Sequence, residues 1–75
     1  MLTKIEKYVI EKVREIRISK NISQAELAHR INVSSGFIGK IESQKFNSKY
    51  NLNHINEISK ALNVSPKELL PNKPL

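Results

Sequence analysis

The chain has 75 residues, no cysteine and a formal net charge of +6, which arises from 13 basic and 7 acidic side chains. A chain of this length forms one small domain, and the lack of cysteine excludes a disulfide framework and thiolate chemistry. The charge favours a polyanionic partner or an acidic membrane surface, although small domains are also often basic for no specific reason.

The first predicted helix runs from about Lys4 to Ile18. Apolar residues recur along it at intervals of four, four and three, which is typical of an amphipathic helix; they are Ile5, Val9, Val13 and Ile16. Thr3 and Glu6 have the spacing of a capping box that starts this helix. Charged residues are interleaved with the apolar ones, so the sequence predicts neither a signal peptide nor a membrane span of roughly 20 residues.

Residues 24–43 carry the most informative pattern of the chain, QAELAHRINVSSGFIGKIES. Leu27 and Ile31 lie four residues apart and share one face of a second helix, for which Ser23 is the N-cap. Ile38 and Ile41 lie three residues apart and share one face of a third helix. The pattern therefore predicts two short amphipathic helices in immediate succession.

A tight turn, residues 32–34, joins these two helices. Asn32 tolerates the left-handed backbone that ends a helix, and Ser34 is a good N-cap for the next one. Ala28 supplies the small side chain that a close crossing of the helices needs. In a basic chain, such a pair is typical of a helix-turn-helix that lays its second helix in a DNA major groove.

The remainder of the chain predicts two more helices. A polar, basic loop extends from about Ser43 to Tyr50, and Asn51 then caps a fourth helix. The apolar stripe of this helix comprises Leu52, Ile55, Ile58 and Leu62. Ser65 and Pro66 open a short fifth helix. The predicted fold is all-α, a compact five-helix bundle over residues 1–70, with a flexible tail over residues 71–75.

Residues 18–70 resemble the lambda-repressor-like (Cro/cI-type, XRE) family of five-helix DNA-binding domains. The resemblance rests on two runs, SQAELAHRINVSSGFIGKIE and LNHINEISKALNVSPKELL. It implies a sequence-specific transcriptional regulator, with a repressor as the first expectation. Such a regulator acts in the cytoplasm as a homodimer on a palindromic operator in double-stranded DNA. Two positions depart from the family pattern, because Asn32 and Gln44 stand where the family usually has glycine.

The resemblance and the side-chain chemistry together indicate a set of DNA-contacting residues on the second and third helices and the following loop. They are Gln24, Ser34, Ser35, Gly36, Phe37, Lys40, Ser43, Gln44, Lys45 and Lys49. The family positions that match Ser35 and Gly36 read base edges, and Lys40 is the long polar side chain on the outer face of the third helix. For each lysine the alternative is a solvated surface side chain, and for Phe37 the alternative is a half-buried packing residue. For Gly36 and Gly39, close approach to DNA and close helix packing are both open.

The resemblance also implies a structural ion pair between Arg17, late in the first helix, and Glu42, which closes the third helix. A guanidinium that binds a carboxylate through two hydrogen bonds would fix the third helix on the rest of the domain. The predicted role of this pair is architectural, not DNA-contacting.

No catalytic site, metal site or cofactor is predicted. The chain has no aspartate, its two histidines (His29 and His54) lie in different helices, and no phosphate loop or nucleophile motif occurs. Two other functions remain open: an antitoxin-like or accessory module that binds a protein partner, and a membrane-surface protein, which the narrow apolar stripes and the lack of tryptophan disfavour. Candidates for a dimer surface, or for closure of the monomer's own core, are Val64, Leu69, Leu70 and Leu75.

Overall fold

The computed structural model describes residues 1–75 and contains α-helices and no strand. The four α-helices are α1 (Lys4–Ser19), α2 (Gln24–Arg30), α3 (Ser35–Ser43) and α4 (Leu52–Leu62). No helix is long and apolar enough to cross a membrane. The all-α bundle is confirmed, with α2 and α3 as the closely packed helix-turn-helix pair.

The fifth predicted helix is wrong as an α-helix, because residues Pro66–Leu69 form a single 3-10 turn. Ser65 and Glu68 close a capping box at its start, so the start signal in the sequence is real. Leu70 is then extended (φ −112°, ψ 152°). It precedes Pro71, and a residue before proline is disfavoured in helical backbone. The turn therefore ends before an α-helix can form.

Local capping hydrogen bonds set the helix starts. The Thr3 hydroxyl accepts from the Glu6 N–H, and the Glu6 carboxylate accepts from the Thr3 N–H at 2.8 Å. That backbone hydrogen bond, together with the Lys49 ammonium, holds the pKa of Glu6 below its usual value. At the start of α2 the Ser23 hydroxyl accepts from the Glu26 N–H, and at the start of α4 Asn51 and His54 form a reciprocal capping box. These caps stabilise the helices by satisfying N–H groups that have no partner within the helix.

Asparagine occupies four of the five left-handed backbone positions of this chain. Its positive-φ residues are Asn21, Asn32, Gln44, Asn47 and Asn63. Asn32 (φ 60°) lies between α2 and α3, and Gln44 (φ 57°) is the C-cap of α3. Asparagine visits left-handed backbone more readily than most residues, which explains the turn at Asn32. Gln44 adopts the same backbone without that preference, so both turns form without the family's glycines.

The core is one cluster of apolar side chains from all four helices, the 3-10 turn and the segments that precede and connect them. Its fully buried members include Ile10, Val13, Leu27, Ile38, Ile41, Ile58, Leu62 and Leu69. Ile16 of the α1 stripe is half-buried and packs against this cluster, whereas two other residues of the predicted stripes are exposed: Ile5 is 43% exposed and Leu52 is 82% exposed. Both lie in the first turn of their helix, at one end of the bundle, where no other element of the chain covers them.

Candidate nucleic-acid interface

The first turn of α3 is exposed and lacks a capping side chain. Ser34 occupies the N-cap position with extended backbone (φ −64°, ψ 151°), but its hydroxyl makes no capping hydrogen bond. Ser35 and Gly36 follow it and are also exposed. The N–H groups of this turn are therefore not satisfied by a side chain, unlike those at the starts of the other helices. Such N–H groups can donate hydrogen bonds to an anion.

The two glycines of α3 have different surroundings. A Cβ added at Gly39 would lie 3.0 Å from the Gln24 Oε1 atom, so Gly39 makes room for the Gln24 side chain against α3. A Cβ added at Gly36 would meet nothing within 4 Å. Packing within the domain thus accounts for Gly39 and gives no reason for Gly36.

Arg17 and Glu42 form a buried ion pair with two hydrogen bonds. Arg17 Nε donates to Glu42 Oε2 at 2.9 Å, and Arg17 Nη2 donates to Glu42 Oε1 at 2.8 Å. The third guanidinium nitrogen, Nη1, donates to the Ile22 carbonyl at 2.7 Å. Gln24 Nε2 adds a hydrogen bond to Glu42 Oε1 at 3.0 Å. These contacts tie the end of α3 to α1, to the α1–α2 connection and to the start of α2.

The burial of Glu42 leaves α3 and the loop that follows it without an exposed carboxylate of their own. Glu42 is the only acidic residue between Leu27 and Asn56, and its side chain is only 3% exposed. Lys40 and Lys45 lie in the same stretch, are exposed and form no ion pair. The charge offered to solvent by α3 and its loop is therefore positive, which favours a polyanionic ligand.

The sequence-predicted DNA-contacting residues fall into two sets in the structure. One set is exposed, and its side chains have no hydrogen-bond or ion-pair partner: Ser34, Ser35, Gly36, Lys40 and Lys45. The other set contacts the domain itself. Gln24 binds Glu42, Gln44 Nε2 donates to Glu11 Oε1 at 2.8 Å, and Lys49 pairs with Glu6 at 2.9 Å. Phe37 and Ser43 also belong to it.

Phe37 is half-buried and packs against His54 of α4, with ring centroids 4.9 Å apart. The Ser43 hydroxyl donates to the Lys40 carbonyl at 2.8 Å and accepts from the Lys45 N–H at 3.3 Å, which shapes the end of α3. These two residues therefore hold α3 and its loop in position. Both residues still border the exposed set, because one precedes and the other follows the stretch of α3 that contains Lys40.

Phe46 was not among the predicted site residues, yet it lies beside Lys40. Its side chain is 58% exposed, and the Lys40 ammonium lies 5.3 Å from the centre of its ring. A cation at this distance from an aromatic face is attracted to it, so Phe46 restricts the directions in which Lys40 points. The available signal in the sequence was an aromatic residue directly after Lys45 in a basic loop.

Tyr50 carries a buried hydroxyl that has no hydrogen-bond partner. Burial raises the pKa of Tyr50 well above its usual value, and the charge of Glu42 raises it further while Arg17 opposes this effect. Removing a buried hydroxyl that makes no hydrogen bond also removes its desolvation cost. The Tyr50 ring, in contrast, is needed to fill the core.

We expect Tyr50→Phe to raise the free energy of unfolding by about 1 kcal/mol at pH 7. Above about pH 10 the advantage grows, because tyrosine ionises in the unfolded chain near that pH and only at higher pH in the folded protein. Wild-type stability should therefore fall as the pH rises above about 10. Urea denaturation of wild type, Tyr50→Phe and the control Tyr8→Phe, at pH 7 and again above about pH 10, measures the difference in the free energy of unfolding. An equal loss in wild type and Tyr50→Phe would contradict the assignment.

Comparisons with known proteins agree with this geometry. Residues 12–74 match the family described as the Cro/C1-type HTH DNA-binding domain. The chain is 46% identical over 61 residues to the control protein C.BamHI of Bacillus amyloliquefaciens, a match that covers 80% of this chain and 73% of that protein.

Two solved structures have the same fold. The restriction-modification controller protein C.AhdI from Aeromonas hydrophila is 27% identical with a TM-score of 0.73, and the match covers 84% of this chain and 92% of that one. The P22 c2 repressor protein, solved in complex with a synthetic operator, is 30% identical with a TM-score of 0.69, over 95% of this chain and 100% of that one.

Proposed function

The chain is a DNA-binding transcriptional regulator that belongs to the family of Cro/C1-type helix-turn-helix DNA-binding domains, and we propose that it acts as a homodimer on a palindromic operator with α3 in the major groove. The observation that carries the proposal is the exposed, uncapped first turn of α3 beside Lys40, in a segment that has no exposed carboxylate of its own. We place this activity in the cytoplasm, where a bacterial-type operator is accessible.

The exposed residues of α3 provide the contacts to DNA. Ser35 reads a base edge through its hydroxyl, and Gly36 lets the backbone approach the bases because it has no side chain. Lys40 binds guanine or phosphate, and Lys45 binds phosphate. Gln24 retains one amide N–H for a phosphate after its bond to Glu42.

Residues whose side chains contact the domain itself support the contacts to DNA. Phe46 directs the Lys40 ammonium, and Phe37 presents its ring edge next to the groove while it packs on His54. Gln44 and Lys49 hold the loop after α3 through Glu11 and Glu6, so their role is to set the path of the backbone. Ser43 does the same at the end of the helix.

The regulated genes are proposed to belong to a restriction-modification system. C.BamHI is named a control protein, and C.AhdI is named a restriction-modification controller protein. The identity of 46% to C.BamHI over most of this chain supports the same assignment here. The operator is then expected beside a gene of that restriction-modification system, where binding controls transcription.

Selection from a random duplex library by the purified protein at about 150 mM salt tests the function, since low salt would let phosphate contacts alone mimic recognition. We expect enrichment of an inverted repeat whose half-sites lie about 10 base pairs apart. Loss of all binding at this salt, with no enriched sequence, would contradict the proposal. Co-purification of a protein partner in that case would support the accessory-module alternative.

A matched pair of lysine variants locates the contacts in the same experiment. Lys40→Ala should weaken binding to the enriched duplex. The plot of log affinity against log salt should become less steep, with its negative slope reduced in magnitude by about 0.9 for each phosphate that the variant no longer neutralises. Lys73→Ala removes the same charge from the tail, far along the chain from α3, and should leave the slope unchanged. Equal effects of the two variants would show that only net charge matters.

A further inference from the structure

Arg14 is an exposed arginine of α1 that lies beside the last turn of α3. Its Nε atom is 3.9 Å from Glu42 Oε1, and its side chain is 51% exposed. Glu11, three residues earlier on α1, accepts a hydrogen bond from Gln44 at the C-cap of α3. Arg17, three residues later, donates to Glu42. The contacts of α1 with the end of α3 on both sides of Arg14 therefore fix its place in the fold.

The Glu42 carboxylate is already occupied by other donors. Arg17 donates to both of its oxygens, and Gln24 Nε2 donates to Oε1 at 3.0 Å. At 3.9 Å the Arg14 Nε atom is beyond hydrogen-bond distance, and its guanidinium donates no hydrogen bond in the structure. One carboxylate thus faces two guanidinium groups. The excess positive charge of this cluster is exposed to solvent on Arg14, because the Arg17 side chain is only 9% exposed.

We propose that Arg14, together with Gln24, binds a phosphate of the operator DNA, so that the DNA interface extends from α2 and α3 onto α1. The inference rests on the proposed function, because it requires α3 to lie in the major groove. A guanidinium presents several N–H donors in one plane and binds phosphate oxygens in pairs. The donors of Arg14 have no partner within the domain and are available for such an oxygen.

The length of α3 places Arg14 at the edge of the groove. The nine residues of α3 span about 13 Å. The major groove of B-DNA is about 12 Å wide. When the first turn of α3 contacts base edges, its last turn therefore lies at the backbone that borders the groove. Arg14 flanks that last turn, so the group within its reach is a phosphate and not a base edge.

Gln24 supplies the second donor of the site. Gln24 Nε2 and Arg14 Nε lie around the same oxygen, Glu42 Oε1, at 3.0 Å and 3.9 Å. Their remaining N–H groups are close enough for one phosphate group to accept from both side chains. The charge of Glu42 is offset by Arg17 within the buried pair, so a phosphate at this site meets a net positive cluster.

The first measurement is the affinity of Arg14→Gln for the enriched duplex at several salt concentrations. We expect the affinity at about 150 mM salt to fall at least about 10-fold, because each copy loses a hydrogen bond between charged groups. The plot of log affinity against log salt should become less steep, by about 0.9 for each phosphate contact that is lost. Arg14→Lys keeps the charge and should retain the wild-type slope.

Lys12→Gln is the matched control for Arg14→Gln. It removes the same charge from the same helix, but position 12 lies about 200° around α1 from position 14. Lys12 pairs with Glu15, away from the end of α3. This variant should keep the wild-type affinity and the wild-type slope.

A scan with neutral methylphosphonate linkages, placed one at a time along a half-site, identifies the phosphate. One linkage should weaken binding by wild type and by Lys12→Gln, and should have no further effect on Arg14→Gln. The effect of the same linkage should be reduced in Gln24→Ala. Such coupling between one side chain and one phosphate is expected of a direct contact and not of a charge that acts at a distance.

Urea denaturation separates a DNA contact from a structural role of Arg14. Because Arg14 is exposed and its ion pair is long, Arg14→Gln should unfold near the wild-type midpoint. Wild-type affinity and slope in Arg14→Gln, an equal effect of Lys12→Gln, or weaker binding with a lowered midpoint and no linkage-specific effect would overturn the site alone. Failure of wild type to bind any duplex would overturn the proposed function together with the site.

Discussion

Glu42→Ala is expected to lower the free energy of unfolding by about 3–5 kcal/mol, which is most of the stability of a domain this small. The substitution leaves the Arg17 guanidinium buried, with its side chain 9% exposed, and without its carboxylate partner. It also removes the acceptor of the Gln24 amide. Urea denaturation followed by circular dichroism measures the loss. We expect a protein that is partly unfolded at 37 °C and binds no operator.

Glu57→Ala is the matched control for the Glu42 substitution. Glu57 pairs with Lys60 at 3.2 Å within α4, and both side chains are largely exposed. Such surface pairs contribute about 0.5 kcal/mol or less, so this variant should unfold near the wild-type midpoint. A similar, small effect of Glu42→Ala would show that the buried ion pair is not what fixes α3 on the domain.

The double variant Arg17→Met with Glu42→Leu distinguishes the cost of an unpaired charge from the value of the pair. Replacing both partners by apolar side chains of similar size removes the unpaired charge, and buried ion pairs elsewhere tolerate such replacement. The double variant should therefore be more stable than Glu42→Ala, although the Ile22 carbonyl loses its donor. In a double-mutant cycle of wild type, the two single variants and the double variant, we expect strong coupling between positions 17 and 42.

The parts of the fold that the sequence predicted well depend on neighbouring residues. The capping box of Thr3 and Glu6, the cap at Ser23 and the turn at Asn32 each involve residues within a few positions of one another. The residue types at these positions largely decide the backbone there, whatever the rest of the chain does. The predictions of the helix starts and of the helix-turn-helix rested on these local signals.

The exposure of Ile5 and Leu52 depends on how the elements of the fold meet. Ile5 and Leu52 fit the apolar stripes of their helices, but helical spacing does not tell whether another element lies over the first turn. In this chain none does, and the two residues line a groove instead. The fifth helix failed for a more local reason, since the restriction that Pro71 places on Leu70 outweighed a good start signal.

The site was predicted as a set of residues, but the sequence could not give their partners. The contact of Gln44 with Glu11 joins residues 33 positions apart, and that of Gln24 with Glu42 joins residues 18 positions apart. No spacing rule connects such positions, so the sequence did not show that these two glutamines have hydrogen-bond partners within the domain. The resemblance to the family supplied the Arg17 and Glu42 assignment, and the packing of the helices shows why Gly36 and Gly39 differ.

That difference between the glycines yields a substitution that should stabilise the protein and abolish its function. Gly36→Glu places a side chain in open space, where a Cβ meets nothing within 4 Å. Any residue other than proline favours the helix over glycine, by up to about 1 kcal/mol. The first turn of α3 has no acidic residue, and a negative charge there is favourable for the helix. We therefore expect the thermal midpoint to rise by a few degrees.

The same glutamate should lower the affinity for the enriched duplex at least about 100-fold, because two copies each bring a charge against the phosphates and close the backbone approach. Asn72→Glu, which adds the same charge in the exposed tail, should bind DNA almost as wild type does. Gly36→Ala separates size from charge, since it should share the gain in stability with a smaller loss of binding. Thermal melts and fluorescence anisotropy on the three variants give both quantities. Wild-type affinity in Gly36→Glu would place the DNA elsewhere than on the first turn of α3, whatever its effect on stability.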